Sequence, residues 1–78
     1  MAFTLADLEQ DETAAVAEVL DAGPLGRRFL DLGLIPGARV ACLGRAPLGD
    51  PAAYFVAGAV VAIRRRDAAL VLLREEAE

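Results

Sequence analysis

Short apolar runs separated by glycine and proline dominate the second half of this chain. Val40 and Cys42 alternate with their neighbours in an extended run that ends at Gly44. The loop RAPLGDP follows at 45–51, where two prolines bracket Gly49 and Asp50, and it predicts a hairpin longer than the two-residue type. The further predicted elements are a strand over 52–57, a reversal at Gly58, a strand over 60–64, a helical turn over 65–69 and a last strand over 70–73. Short strands spaced by turns are typical of a small barrel.

A short helix precedes these strands. Pro24 suits the first helical position, Leu25, Phe29 and Leu32 recur at i, i+4 and i+7, and Gly33 suits a C-terminal cap. The spacing therefore predicts a helix over 24–32.

Two segments flank this helix. Pro36 and Gly37 form a turn that prevents the helix from continuing. The preceding segment, ETAAVAEVL at 12–20, is ambiguous, because its Ala and Glu favour a helix while Val16, Val19 and its short length allow a strand.

The length and the charge of the chain limit how many domains it can form and which partners it can bind. The chain has 78 residues and 8.2 kDa, which leaves room for one domain, 1–78. Its net charge of −4 argues against nucleic acid as a partner. Residues 1–22 and 75–78 carry acids and no base, whereas 23–74 carry eight Arg and three acids. These segments either screen each other within one fold or present two differently charged faces to a partner.

The chain carries no membrane-spanning or secretory pattern. Its longest uncharged stretch, 51–63, has 13 residues, whereas a spanning helix needs about 20. The N-terminal segment is acidic where a secretory signal would be basic. We therefore expect a cytoplasmic protein without direct membrane insertion.

Reactive side chains are scarce. The chain has no His and no Ser, and its one cysteine is Cys42. This composition predicts a protein that is not an enzyme and has no cofactor or metal site, since the commonest general base, metal ligand and nucleophile are missing. Cys42 is expected in the core, and the adjacent carboxylates at 11–12 and 75–76 on the surface.

Arginine provides the most concentrated charge. Arg64, Arg65 and Arg66 follow the apolar run AVVAI, and Arg27 and Arg28 lie on the predicted helix. They are either solvated or contact an acidic partner surface, since the guanidinium fork matches a carboxylate.

Three motifs together resemble the FeoA family, ferrous iron transport protein A. They are RRFLDLGLIPG at 27–37, APLGDP at 46–51 and VAGAVVAIRRRDAALVLL at 56–73, and TLADL at 4–8 is similar to the opening of the family. The resemblance implies a mainly β fold: a small SH3-like β-barrel with a short helical insertion between the first and second strands. It also implies that 12–20 is the first barrel strand, with a domain core over about 3–73 and an acidic tail over 74–78.

The resemblance also implies a function. FeoA proteins are small cytoplasmic proteins of bacterial ferrous iron uptake that act by binding the membrane G-protein transporter FeoB. Most family positions here are turn formers or core residues; the predicted turn positions are Gly33, Pro36, Gly37, Pro47, Gly49, Asp50, Pro51 and Gly58.

Leu48 is the exception among the family positions. A Leu at the tip of a Gly/Pro hairpin has little core to reach and is a candidate partner anchor. The other candidate partner contacts are Arg27, Arg28, Arg45 and Arg64.

The chain departs from the family at two places. Residues 9–12 stand where family members commonly have a Gly-containing turn, and the segment after Gly58 is poor in polar residues, which predicts weak self-association through the barrel edge.

Two alternative functions remain at this point. One is a regulatory module related to the C-terminal SH3-like domain of metal-dependent transcription repressors. The other is a GTPase-modulating partner that supplies Arg27 or Arg28 in trans.

Overall fold

The computed structural model describes residues 3–76, which form one antiparallel sheet of six strands with two short helices. The elements in chain order are β1 (Phe3–Thr4), a 3₁₀ turn (Leu5–Asp7), β2 (Thr13–Val19), α1 (Pro24–Asp31), β3 (Arg39–Arg45), β4 (Ala52–Val56), β5 (Ala59–Ile63), α2 (Arg65–Ala68) and β6 (Val71–Arg74). The strand order across the sheet is β1-β6-β2-β3-β4-β5. The mainly β architecture predicted from the sequence is confirmed.

The ambiguous segment at 12–20 is a strand. Residues of β2 pair with β3 on one side and with β6 on the other, so the strand lies in the middle of the sheet. Because β2 has neighbours on both sides, tertiary pairing outweighs the helix propensity of its Ala and Glu residues.

The other predicted elements are confirmed to within about a residue at their ends. A two-residue strand, β1, was not predicted, so α1 lies between β2 and β3 in the full count. Arg74, which the sequence placed in the acidic tail, ends β6 and pairs with Ala15. Residues 1, 2, 77 and 78 of the predicted domain lie outside the described range.

In β3, β4 and β6 the core is filled by alternate residues. In β4, Ala52, Tyr54 and Val56 are buried, while Phe55 between them faces outward. This period of two is the pattern of a sheet with one covered face. Cys42 is fully buried, as predicted, and Phe29 of α1 packs into the same core cluster.

Two glycines are required by their surroundings. A Cβ on Gly26, a buried residue of α1, would overlap the backbone carbonyl oxygen of Asp21, so this helix approaches the preceding chain closely only because the side chain is absent. Gly33 has a φ of 98°, and a Cβ there would lie 2.6 Å from the Cβ of Ala57. The sequence predicted the role of Gly33 and did not single out Gly26.

None of the helices within residues 3–76 has the length and apolar character needed to cross a membrane.

Candidate docking surface

The loop between β3 and β4 presents one apolar side chain at its tip. The Ala46 N–H donates to the Pro51 carbonyl at 2.9 Å, and the Gly49 N–H donates to the Ala46 carbonyl at 2.7 Å. These bonds close the loop, and the Leu48 side chain at its tip is 97% exposed. Burying a Leu side chain stabilises a complex by about 1.5–3 kcal/mol, so this tip is a ready anchor for a partner.

Asp50 connects this loop to the arginine run. Its Oδ1 accepts a hydrogen bond of 2.8 Å from the Arg65 N–H, at the start of α2. The pairing of Ala52 with Ile63 also sets the start of β4 beside the end of β5. The hairpin loop and Arg64 to Arg66 therefore lie at the same end of the sheet.

The predicted turn residues lie in turns. Pro36 and Gly37 are the central residues of a turn closed by the Ala38 N–H, which donates to the Ile35 carbonyl at 2.9 Å. Gly37 has a φ of 90°, which the third position of such a turn requires. Gly49 and Gly58 also have positive φ, and Pro51 follows Asp50 through a cis peptide bond.

Two of the predicted partner-contact arginines line one cleft. A cleft of about 160 Å³ opens between α1 and the end of β5, and its lining residues are Leu25, Arg28, Phe29, Leu32, Ala62, Ile63, Arg64 and Asp67. Arg28 and Arg64 thus lie together over an apolar floor that includes Phe29. Arg27 lies beside Arg28 on a separate depression of α1.

This corner of the molecule is basic. Arg27, Arg28, Arg64 and Arg65 are exposed, and none of them forms an ion pair within residues 3–76. Arg66 makes one long contact, 3.9 Å from its Nε to Asp67 Oδ1. An anionic partner surface therefore meets guanidinium groups that have no competing carboxylate bound to them.

Arg45 is placed differently from the other predicted contacts. Its Nη2 donates to the Ala6 carbonyl at 2.9 Å and to the Leu8 carbonyl at 3.0 Å, and its Nη1 is buried without a hydrogen-bond partner among the described residues. Beside it, the buried Tyr54 hydroxyl donates to the Leu5 carbonyl at 3.2 Å. The two side chains attach the 3₁₀ turn and the residue after it to β3 and β4.

The Tyr54 phenol has a shifted pKa. Burial raises its pKa above the ordinary value of 10.0, because the ionised form would lose its hydration, and the nearby Arg45 charge partly opposes the rise. The phenol therefore stays neutral and acts as a donor at physiological pH.

The acidic pairs serve the scaffold. Glu12 Oε1 accepts from the Glu9 N–H at 2.8 Å, while Glu76 accepts from the Thr13 hydroxyl at 2.7 Å and lies 3.1 Å from Arg39 Nε. No group of three or more His, Cys, Asp or Glu side chains that could hold a metal ion occurs in the part of the chain that the structure describes.

The outer face of the sheet carries an apolar surface; sequence reasoning indicated the apolar segment after Gly58 but did not single out Phe55 beside it. Phe55 and Val60 are register partners on β4 and β5, and they are 45% and 64% exposed. Ile35 and Phe55 also line an open groove of about 630 Å³. Alternation along β4 would have assigned Phe55 to the outer face once Tyr54 was assigned to the core.

Comparison with known proteins gives consistent findings. The model of the FeoA domain matches residues 3–75. A fusion protein of Fe(2+) transport protein A and the Fe(2+) transporter FeoB, from Porphyromonas gingivalis, is 31% identical over 67 residues. The match covers 86% of this chain but 8% of that relative, so this chain corresponds to a small part of the fusion protein.

Solved structures share the fold. The FeoA protein of Chlorobium tepidum is 33% identical with a TM-score of 0.88, over 96% of this chain and 71% of that one. The FeoA of Stenotrophomonas maltophilia, an SH3 domain protein solved in complex with zinc, is 28% identical with a TM-score of 0.83, over 92% and 89%. A manganese-dependent transcriptional repressor is 22% identical with a TM-score of 0.83, over 96% of this chain and 42% of that one; this likeness is one of fold alone.

Proposed function

The chain belongs to the FeoA domain family, which is linked to ferrous iron transport, and on this premise we propose that it is a cytoplasmic accessory protein that docks on the cytoplasmic part of the transporter FeoB. It acts by binding and not by catalysis. The Porphyromonas gingivalis relative supports this pairing, because there a related segment and the transporter share one chain. Such a linkage raises the effective concentration of two modules that work together.

The exposed Leu48 at the hairpin tip carries the proposal. The side chain is 97% exposed, and the loop below it is closed by backbone hydrogen bonds. A preorganised loop loses little conformational entropy on binding. Burying Leu48 in a partner pocket would strengthen binding about tenfold to a hundredfold. Arg27, Arg28 and Arg64 add contacts to carboxylates on the partner.

Titration calorimetry with the cytoplasmic domain of the transporter tests this docking. We expect Leu48→Glu to weaken binding at least about tenfold, because it places a charge in the contact and removes the anchor. The matched control is Ile35→Glu, since Ile35 is 49% exposed and lies in the turn before β3, at the opposite end of that strand from the hairpin. Equal affinity of Leu48→Glu and the wild-type chain would remove the hairpin from the contact.

Supply of an arginine in trans is the alternative mode of action. Arg27 and Arg28 are exposed on α1 and lack ion-pair partners within residues 3–76. An arginine finger raises GTP hydrolysis by about 10³–10⁵ in kcat. A docking protein changes the hydrolysis rate of the transporter by much less, so the rate measured with and without this chain separates the two modes.

A further inference from the structure

The edge strand β5 exposes backbone groups that have no neighbour in the sheet. It is last in the strand order and is joined to β4 by the two-residue turn Ala57–Gly58, where both residues have positive φ. In such a hairpin the residue pair that flanks the turn, here Val56 and Ala59, exchanges backbone hydrogen bonds. Hydrogen-bonded and non-hydrogen-bonded pairs then alternate along the two strands. Val60 and Ala62 fall in the non-hydrogen-bonded pairs, so their N–H and C=O groups point away from β4.

Nothing in β5 protects this edge. Its sequence, AVVAI, has no charged residue and no proline, and its pairing with β4 runs without a bulge from Ala59 to Ile63. Val60 is 64% exposed, and Ala62 is exposed as well. Edges of this kind readily accept another strand, because charges, prolines and bulges are the usual devices that prevent it.

The C-terminal end of β5 lies beside Arg28 and Arg64 of the basic corner. Ala62 and Ile63 form one wall of the small cleft that is also lined by Arg28, Arg64 and Asp67, two guanidinium groups against one carboxylate. An extended segment paired with β5 would therefore bring its side chains to an apolar floor and to two guanidinium groups. A second copy of β5 would bring no carboxylate to these arginines, since the residues that flank the strand are Gly58 and Arg64. Charge complementarity thus favours an acidic segment of another protein.

We propose that β5 receives an extended acidic segment of a partner as an added strand, with one apolar side chain in the α1–β5 cleft and carboxylates on Arg28 and Arg64. This deepens the docking function proposed above and rests on it. The partner's backbone bonds to Val60 and Ala62 provide affinity, and the arginines select acidic over basic segments.

Amide hydrogen exchange on the wild-type chain tests the added strand without a substitution. We expect the Val60 and Ala62 amides to exchange quickly in the free chain and to slow at least about tenfold in the presence of the transporter's cytoplasmic domain. The second probe is a synthetic peptide of alternating Val and Thr with two Glu at one end, compared with its Lys counterpart. The acidic peptide should slow the same two amides, and the Lys peptide should leave them unchanged.

Val60→Pro is the matched substitution. It removes an N–H that points away from β4, so the β4–β5 ladder keeps its bonds, and edge positions of this kind accept proline. Loss of one backbone hydrogen bond should weaken binding of the domain about tenfold. Val60→Ala, which keeps the N–H, should bind within about threefold of wild type, since Val60 lies outside the cleft.

The outcomes separate this proposal from the docking function. If the domain binds but the two amides stay unprotected and Val60→Pro binds as wild type does, strand addition is wrong and docking stands. If the domain does not bind but the acidic peptide protects the amides, docking on the transporter is wrong and strand addition stands. Two results would refute the proposal of an acidic partner. One is a homodimer in which the two amides are protected and which Val60→Pro converts to a monomer. The other is equal binding of the acidic and the Lys peptide.

Discussion

Replacing Arg45 by Met tests whether this side chain holds the N-terminal segment on the sheet. The substitution keeps an apolar stem of similar length and removes both Nη2 bonds, to the Ala6 and Leu8 carbonyls. Hydrogen bonds from a charged group contribute about 1.5–3 kcal/mol each, which gives about 3–6 kcal/mol for the two. The buried Nη1, which has no partner within residues 3–76, costs about 1–3 kcal/mol in the native chain and offsets part of this.

Subtracting this cost leaves a range of about 0–5 kcal/mol, and we expect Arg45→Met to lower the free energy of unfolding by an amount near its middle, about 2–3 kcal/mol. For a domain of this size, that corresponds to a decrease in Tm of about 10–20 °C. Urea unfolding followed by circular dichroism measures the loss, with Arg66→Met as the control, because the Arg66 side chain is 85% exposed. A stability equal to wild type within about 0.5 kcal/mol, or an equal loss in the control, would refute the role assigned to Arg45.

Three further substitutions give separate readouts. Burial raises the pKa of Tyr54, so the phenol of the unfolded chain loses its proton at a lower pH than that of the folded chain. The free energy of unfolding should therefore fall as the pH rises above 10.0. Tyr54→Phe should lack this contribution to the fall, as measured by urea unfolding at alkaline pH. Gly26→Ala should lower Tm, because the overlap with Asp21 costs about 1–3 kcal/mol and exceeds the helix propensity gain of about 1 kcal/mol. Asp50→Ala should speed amide exchange at Arg65, whereas Asp50→Asn, which keeps an acceptor, should not.

The two proposed contacts depend on different groups. Leu48 contributes a side chain on a loop, whereas the edge of β5 contributes backbone groups of Val60 and Ala62. Leu48→Glu therefore leaves the strand edge intact, and Val60→Pro leaves the hairpin tip intact. A partner that uses both contacts should show additive losses in the double variant, because the substitutions share no neighbour.

The candidate arginines show where sequence reasoning stops. Arg27, Arg28, Arg45 and Arg64 are equivalent as residue types, and nothing in their spacing distinguishes them. Arg45 bonds to carbonyls 37 and 39 residues away along the chain, whereas Arg28 and Arg64 line one cleft. Such long-range proximity depends on strand order, which the local pattern does not contain.

Local features of the sequence determined the positions of β3 to β6, of the helices and of the turns. Alternation along 39–44, Pro24 before a helical repeat and glycines with positive φ act through neighbouring residues, so they can be read without the fold. Only the tertiary structure decided that β2 is a central strand, that β5 is an edge and that Gly26 must lack a side chain. The first two depend on which distant segment pairs alongside, and the third depends on how the chain at Asp21 folds back against α1. Pairing and close approach are properties of two segments together, so neither can be read from one segment alone.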